Sequence, residues 1–442
     1  MLKQIFYPLL IILLISSCSE NANLAGQTEI TKWKDGKAGA VSITFDDGIR
    51  TQFSEVLPIM ERLQLPATFF VITGPVKGSD YPAKFVGRPI KEIINETAHE
   101  PTNDGNFFER ASAIRYSGYK GMQAYYDKAD EFYESGKKEN AYKEMDTAYA
   151  KVRSGKLLPG KDTSMEIANE TGLSWDDLKQ YASRGYEIAS HSVTHAHLAI
   201  MDTANMLYEL QKSRQDILDH LGAQYTFSAE VPFGIDDPRV MKTALPVYAS
   251  LRNLMPEPYM KEINRGVKTQ PVTTDKEYVQ WQRGPLSKTT LTKMESWIDT
   301  TLAHNNIWLV LVFHGIDSVG WESLPHELLD SCFQYIKKNE PNLWVANFGD
   351  VGRYMRERID TKVTSKLNAD SISVLLSHSL DKNEYNIPLT LKTYVPTHWG
   401  KVQVVQGDKI TEAASQKDEK GTYVLYAADP DTTSIFLRKE KS

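Results

Sequence analysis

The sequence predicts an α/β protein: a closed or nearly closed barrel of parallel strands, with a helical insertion after the second strand and a small β-sandwich behind it. Three observations predict this. Between residues 38 and 358, short and largely apolar runs such as 67–72 and 307–313 alternate with stretches of helical periodicity, as buried parallel strands and their crossover helices do. That alternation stops between about residues 75 and 169, where the chain is polar, Tyr-rich and helix-forming. From about Thr361 the period becomes two, with Asn, Asp, Gly and Pro separating the runs.

Taken in order, residues 1–18 hold one Lys and an apolar stretch too short to span a membrane comfortably, which reads as an export signal. Ile15-Ser16-Ser17-Cys18 resembles a bacterial lipobox, in which Cys18 becomes the lipidated first residue of the mature chain; a plain signal peptide cut near Cys18 is the alternative. The expected location is therefore the periplasmic face or the cell surface, held to the membrane by lipid. Residues 19–37 read as a tether. With Cys18 assigned to lipid, Cys332 stands alone as a buried thiol in an apolar helical pattern.

The barrel domain is expected over 38–358, with the insertion over 76–170. Its first strand, 40–45, is followed by a helical stretch, 52–63, and the second strand, 67–72. In the insertion, 123–134 and 139–152 flank Ser135-Gly136-Lys137, the pattern of a helical hairpin whose tyrosines pack against each other. The alternation resumes at Ser174, placed to cap a helix, and a strand leads to His191. A long amphipathic helix over 201–221 stops at Gly222, and further strands and helices run on to Arg358. The sandwich is expected over 361–442, as a docking, spacer or carbohydrate-binding unit. A net charge of −6 offers no basic stripe and argues against nucleic acid as a partner.

Three short motifs carry the chemistry. The first strand ends in Thr44-Phe45-Asp46-Asp47-Gly48, two carboxylates at the C-terminal end of a buried strand, where α/β folds build their sites. Taken alone, Asp-Asp-Gly is more simply a turn. The second motif, His191-Ser192-Val193-Thr194-His195, sets two imidazoles four residues apart, within reach of one cation. With Asp47 they make a sufficient set for a catalytic zinc that keeps a position open for water. The third is the buried strand that ends at His314.

Together and in this order the motifs resemble those of the polysaccharide deacetylases, also called carbohydrate esterase family four or NodB-homology proteins. The resemblance covers roughly 38–358 and implies a distorted (β/α)7 barrel and removal of acetyl groups from N- or O-acetylated polysaccharide. It implies a divalent metal, zinc by its donor set, on Asp47, His191 and His195, with Asp46 as base and His314 as acid. The family's Arg-x-Pro-Tyr motif reads Glu230-Val231-Pro232-Phe233 here. The backbone N–H of Phe233 can still serve the oxyanion, whereas a Glu near Asp46 is expected to raise its pKa. Arg252, at the end of the next strand, is the expected substitute cation. Trp321 suits a sugar subsite or the core equally. His197 reads as a surface residue at a helix start, and His99, His220, His304, His326, His378 and His398 have no partner at ligand spacing. Two other readings stand beside the deacetylase: a glycan-binding lipoprotein of the same fold with little activity, and a related hydrolase of non-peptide C–N bonds.

Overall fold

The computed structural model describes residues 24–160, 172–235, 237–253, 262–264 and 277–440. The expected export signal, Cys18, the start of the tether and the end of the insertion lie outside them. No helix among the described residues is long and apolar enough to cross a membrane.

The strands of the first part are β1 (Thr28–Ile30), β2 (Gly39–Phe45), β3 (Thr68–Val71), β4 (Glu187–Ser190), β5 (Ser228–Ala229), β6 (Ser250–Leu251), β7 (Glu262–Asn264), β8 (Val279–Arg283), β9 (Ile307–Phe313) and β10 (Leu343–Val345). The order β6-β5-β4-β3-β2-β9-β8 gives the curled parallel sheet of a distorted (β/α)7 barrel, and β7 extends it beside β8. Every residue of β2 is buried, as expected of a strand covered on both faces. It runs in register with β9, from Ala40 opposite Trp308 to Phe45 opposite Phe313. Its other edge is divided between β10, beside residues 39–41, and β3, beside 44–45. The Asp46 N–H continues the ladder to the Phe313 carbonyl at 2.9 Å. The aspartate pair therefore leaves the sheet beside His314.

A buried acid ties the last helix to this sheet. Glu187 accepts from Thr68 Oγ1 at 2.7 Å and from the N–H of Gly349 at 2.9 Å, in the first turn of the helix Phe348–Asp360. The positive end of a helix suits that carboxylate. Glycine at 349 leaves room for this contact, since a Cβ there would lie 2.4 Å from Glu187 Oε1 and displace the carboxylate.

The insertion is larger than a hairpin. Met122–Glu134 and Lys138–Arg153 pack against each other, and Ile90–Glu96 and Phe107–Arg115 precede them. Sequence periodicity does not reveal these two because they are short and separated by polar turns. Tyr126, Tyr142 and Tyr149 are buried in a core that also takes in Ala196, Leu198, Ile200 and Val231. The insertion thus shares its interior with the loop that follows the histidine motif.

The tether is shorter than expected. β1 pairs antiparallel with β13 (Leu389–Tyr394), Ile30 opposite Leu391, and the fully buried Trp33 donates from Nε1 to the Asn305 carbonyl at 2.9 Å. A three-residue edge strand whose partner lies far along the chain shows no local alternation.

The remaining strands are β11 (Lys362–Leu367), β12 (Ser371–Ser377), β14 (Lys401–Gln406), β15 (Lys409–Ala414), β16 (Gln416–Lys417), β17 (Thr422–Ala428) and β18 (Ile435–Lys439). They form two antiparallel sheets, β11-β12-β18-β14-β15 and β1-β13-β17-β16. Alternate residues of both fill one core, among them Ile372, Val374, Leu391, Val404, Val424 and Leu437. The barrel's last helix reaches this unit through Glu357, whose buried carboxylate accepts the Ile387 N–H at 3.1 Å. Burial pushes that carboxyl from its ordinary 4.5 up to about 8, with the Ile387 N–H and Arg353 opposing. The stability this gives is fully present below pH 4.5 and lost as pH rises through 8, on the order of a few kcal/mol. Glu357→Gln, which keeps an acceptor, is expected to flatten that part of the curve of melting temperature against pH; an unchanged slope contradicts it.

Candidate active site

The three motifs meet at the C-terminal ends of β2, β4 and β9. Asp47 Oδ1 lies 3.6 Å from His191 Nε2 and 3.4 Å from His195 Nε2, and all three residues are almost fully buried. The Nδ1 of His191 lies 3.0 Å from the Glu230 carbonyl, where an N–H on that nitrogen leaves the Nε2 lone pair turned toward Asp47. Burial pushes the His191 ring down to about 4, against Asp46 and the Glu230 carbonyl. Burial and the neighbouring His191, His197 and His314 hold His195 well below its ordinary value. Two neutral imidazoles and one carboxylate, with donor atoms within 4.8 Å of one another, fit a divalent metal ion.

Backbone strain marks the same loops. Asp47 (φ 73°), Ser192 (φ 65°), His195 (φ 54°) and Phe233 (φ 61°) all hold the left-handed region without being glycine. Such conformations are sparsely populated and cluster where function fixes them. The supports are visible: Ser192 Oγ accepts the His195 N–H at 3.0 Å, and Glu209 accepts the N–H groups of Val193 (2.9 Å) and Thr194 (2.8 Å) and the Thr194 hydroxyl (2.7 Å). Tyr116 of the insertion also donates to Glu209. Removing this buried carboxylate leaves several donors unsatisfied at once. Glu209→Ala is expected to cost about 3 kcal/mol or more, read by denaturant unfolding. A loss under about 1 kcal/mol, the size of one ordinary hydrogen bond, would rule out this support.

Arg252 closes on Asp46 with a bidentate pair, Nη1 to Oδ1 at 2.8 Å and Nη2 to Oδ2 at 2.5 Å. Nη1 also donates to Thr44 Oγ1 at 2.8 Å, and Nε meets Glu230 Oε2 at 3.2 Å. The expectation that Glu230 raises the Asp46 pKa is corrected by this arrangement. Glu230 occupies the far edge of the guanidinium, which stands between the two acids. Burial pushes Asp46 up, but Arg252, His314 and His191 together outweigh it and hold the carboxyl at about 2. His314 Nε2 is 3.3 Å from Asp46 Oδ2, and its ring meets Trp321 edge-on at 4.7 Å. Gln52, which no motif singles out, donates to the carbonyls of Asp46 (2.6 Å) and His314 (2.8 Å) and so fixes the two strand ends together.

His197 is not a surface residue. Its Nδ1 is 2.7 Å from Asp130 and its Nε2 3.4 Å from Asp127, both on the insertion helix Met122–Glu134, and its ring stacks on Phe233 at 3.6 Å. Burial works against the charge, but the two aspartates hold the imidazolium up to about 9. The sequence could not show this, because the partners belong to the insertion.

Asp46, Asp47, His191, His195, Arg252 and His314 line a cavity of about 520 Å³. Phe233 (49% exposed), Trp321 (49%) and Leu286 (53%) stand at its rim, an apolar lip around a polar floor.

Residues 34–106 and 140–246 match the polysaccharide deacetylase family model. A gellan lyase from Bacillus sp is 24% identical over 286 residues, 58% of this chain and 11% of that protein, so the chain spans about a tenth of the length of this curated relative. Similar solved structures include a family 4 carbohydrate esterase from Streptomyces lividans in complex with acetate (12% identity, 70% of this chain and 92% of that one, TM-score 0.31). Another is a family 4 carbohydrate esterase from Bacillus subtilis (14%, 75% and 84%, 0.31), and a third is a family 4 pseudoenzyme from Bacillus anthracis (12%, 71% and 65%, 0.33). The matched family model and the architecture of the barrel identify a polysaccharide deacetylase domain in this chain.

Proposed function

We propose that the protein is a metal-dependent hydrolase that removes acetyl groups from N- or O-acetylated polysaccharide at the cell envelope, anchored through lipid on Cys18. The observation that carries this is the Asp47, His191 and His195 cluster on the floor of a rimmed cavity, with the Asp46–Arg252 pair on one side and His314 beside it. When bound there, a divalent cation, zinc by its donor set, supplies Lewis acidity toward water and the acetyl carbonyl. Asp46, kept ionised and oriented by Arg252, takes the proton of the attacking water. His314, within reach of Asp46 and open to the cavity, gives a proton to the departing amine or hydroxyl as the bond to the acetyl carbon breaks. The Phe233 N–H is the main-chain donor for the oxyanion. Phe233, Trp321 and Leu286 offer apolar faces for sugar rings flanking the acetylated one.

Release of acetate from acetylated glycans tests this reading. Acetate is expected from the purified enzyme and not from His314→Asn or Asp47→Ala variants of unchanged fold. Glu230 in place of the family's arginine favours the second reading, a glycan-binding protein with little activity. Glycan binding without acetate release would establish that reading instead.

A further inference from the structure

Asp80, Asp216 and His220 form a second cluster, and none of them lines the catalytic cavity. Asp216 and His220 lie four residues apart on the helix Thr203–Leu221, so their side chains share one face a turn apart. Asp80 follows the end of β3, where the insertion leaves the barrel. Its N–H donates to Asp216 Oδ1 at 3.1 Å, which brings its own carboxylate over the helix face. One donor atom from each residue lies within 4.8 Å of the others.

Two features distinguish this cluster from a chance meeting of surface charges. Asp216 is fully buried, and its Oδ2 has no hydrogen-bond partner among the described residues. The buried Nε2 of His220 has none either. Burial together with repulsion from Asp80 and Asp219 pushes the Asp216 carboxyl up to about 6, although the Asp80 N–H works the other way. A carboxylate left this way is costly unless something positive reaches it. The imidazole is already oriented, lying flat on Trp175 at 4.6 Å with 3° between the rings, and Trp175 Nε1 donates to Ser79 Oγ at 3.0 Å.

We propose that Asp80, Asp216 and His220 bind a second divalent first-row transition ion, outside the catalytic centre, which clamps the root of the insertion to the helix Thr203–Leu221. One imidazole nitrogen and two carboxylate oxygens suit zinc better than calcium or magnesium, which take oxygen donors. Open positions are left to water.

The full-length protein, stripped with a chelator and dialysed against buffered micromolar zinc, tests this by metal content and by the zinc-dependent rise in melting temperature. Two equivalents are expected in the wild type and one in Asp80→Asn or His220→Gln, with acetate release unchanged in Asp80→Asn. The same variants lose part of the zinc-dependent rise. Asp47→Ala also drops to one equivalent, but by losing the catalytic ion, so the two sites fail separately. A wild type that holds one equivalent, lost in Asp47→Ala, overturns the proposal. So does a second equivalent that survives both Asp80→Asn and His220→Gln. Asp80 is exposed, so its variant remains informative even where His220→Gln impairs folding.

Discussion

Replacing Arg252 with glutamine is expected to lower acetate release by about 10²-fold or more and to destabilise the protein as well. The guanidinium is the group that lets Asp46 stay charged while almost fully buried: it donates twice to that carboxylate and meets Glu230 with its third edge. With it gone, two buried acids face each other without a cation, and breaking a buried pair from one side costs about 3–5 kcal/mol. Asp46, now governed by burial, shifts upward from about 2, so the pH below which activity fails moves up as well. The wild-type sign is the usual carboxylate one: the pair's stability is present above 3.8 and lost as pH falls through about 2. Lysine at 252 is expected to rescue little, because a single ammonium cannot reproduce the fork that grips both oxygens. Glu230→Gln, which leaves that fork intact, is expected to change the rate far less. Kinetics of the three variants check this, and equal losses in all of them would contradict it.

Asp46→Asn is expected to reduce kcat by about 10²- to 10⁴-fold while the protein keeps its catalytic metal, the range that loss of a positioned general base produces. Asparagine preserves the shape and an acceptor for Arg252, so the fold and the Asp47, His191 and His195 cluster stay in place. Asp47→Ala, by contrast, is expected to lose metal and activity together. Comparing metal content with rate separates the two aspartates, although they are adjacent in sequence. Their separation is a consequence of local backbone: the Asp46 N–H continues the ladder to Phe313, whereas Asp47 turns at φ 73° and sets its carboxylate beside the two histidines. Loss of metal in Asp46→Asn would assign that residue to the ligand set instead.

Much of the barrel and its site is legible in the sequence, and the reason is periodicity. Continuous apolar runs such as 39–45 and 307–313 are what a parallel strand covered on both faces requires, and polar residues at their ends mark the face where a site is built. Arg252 could be singled out because Glu230 left a charge without a partner at a known place in the motif. The missing pieces share a different property. β1, the contacts of His197 with Asp127 and Asp130, the bridge made by Gln52, and the meeting of Asp80 with Asp216 and His220 all depend on residues distant in sequence or drawn from the insertion. No local pattern encodes such pairings. Spacing along the chain therefore leaves His220 solitary, whereas the fold gives it two carboxylate neighbours.

The most direct test of the catalytic site is acetate release from an acetylated glycan by the purified protein, before and after a chelator and again after zinc is returned in excess of both sites. Activity that disappears with the metal and returns with it, in the wild type and not in Asp47→Ala, is the predicted result. Acetate release that continues unchanged in the stripped protein would contradict it.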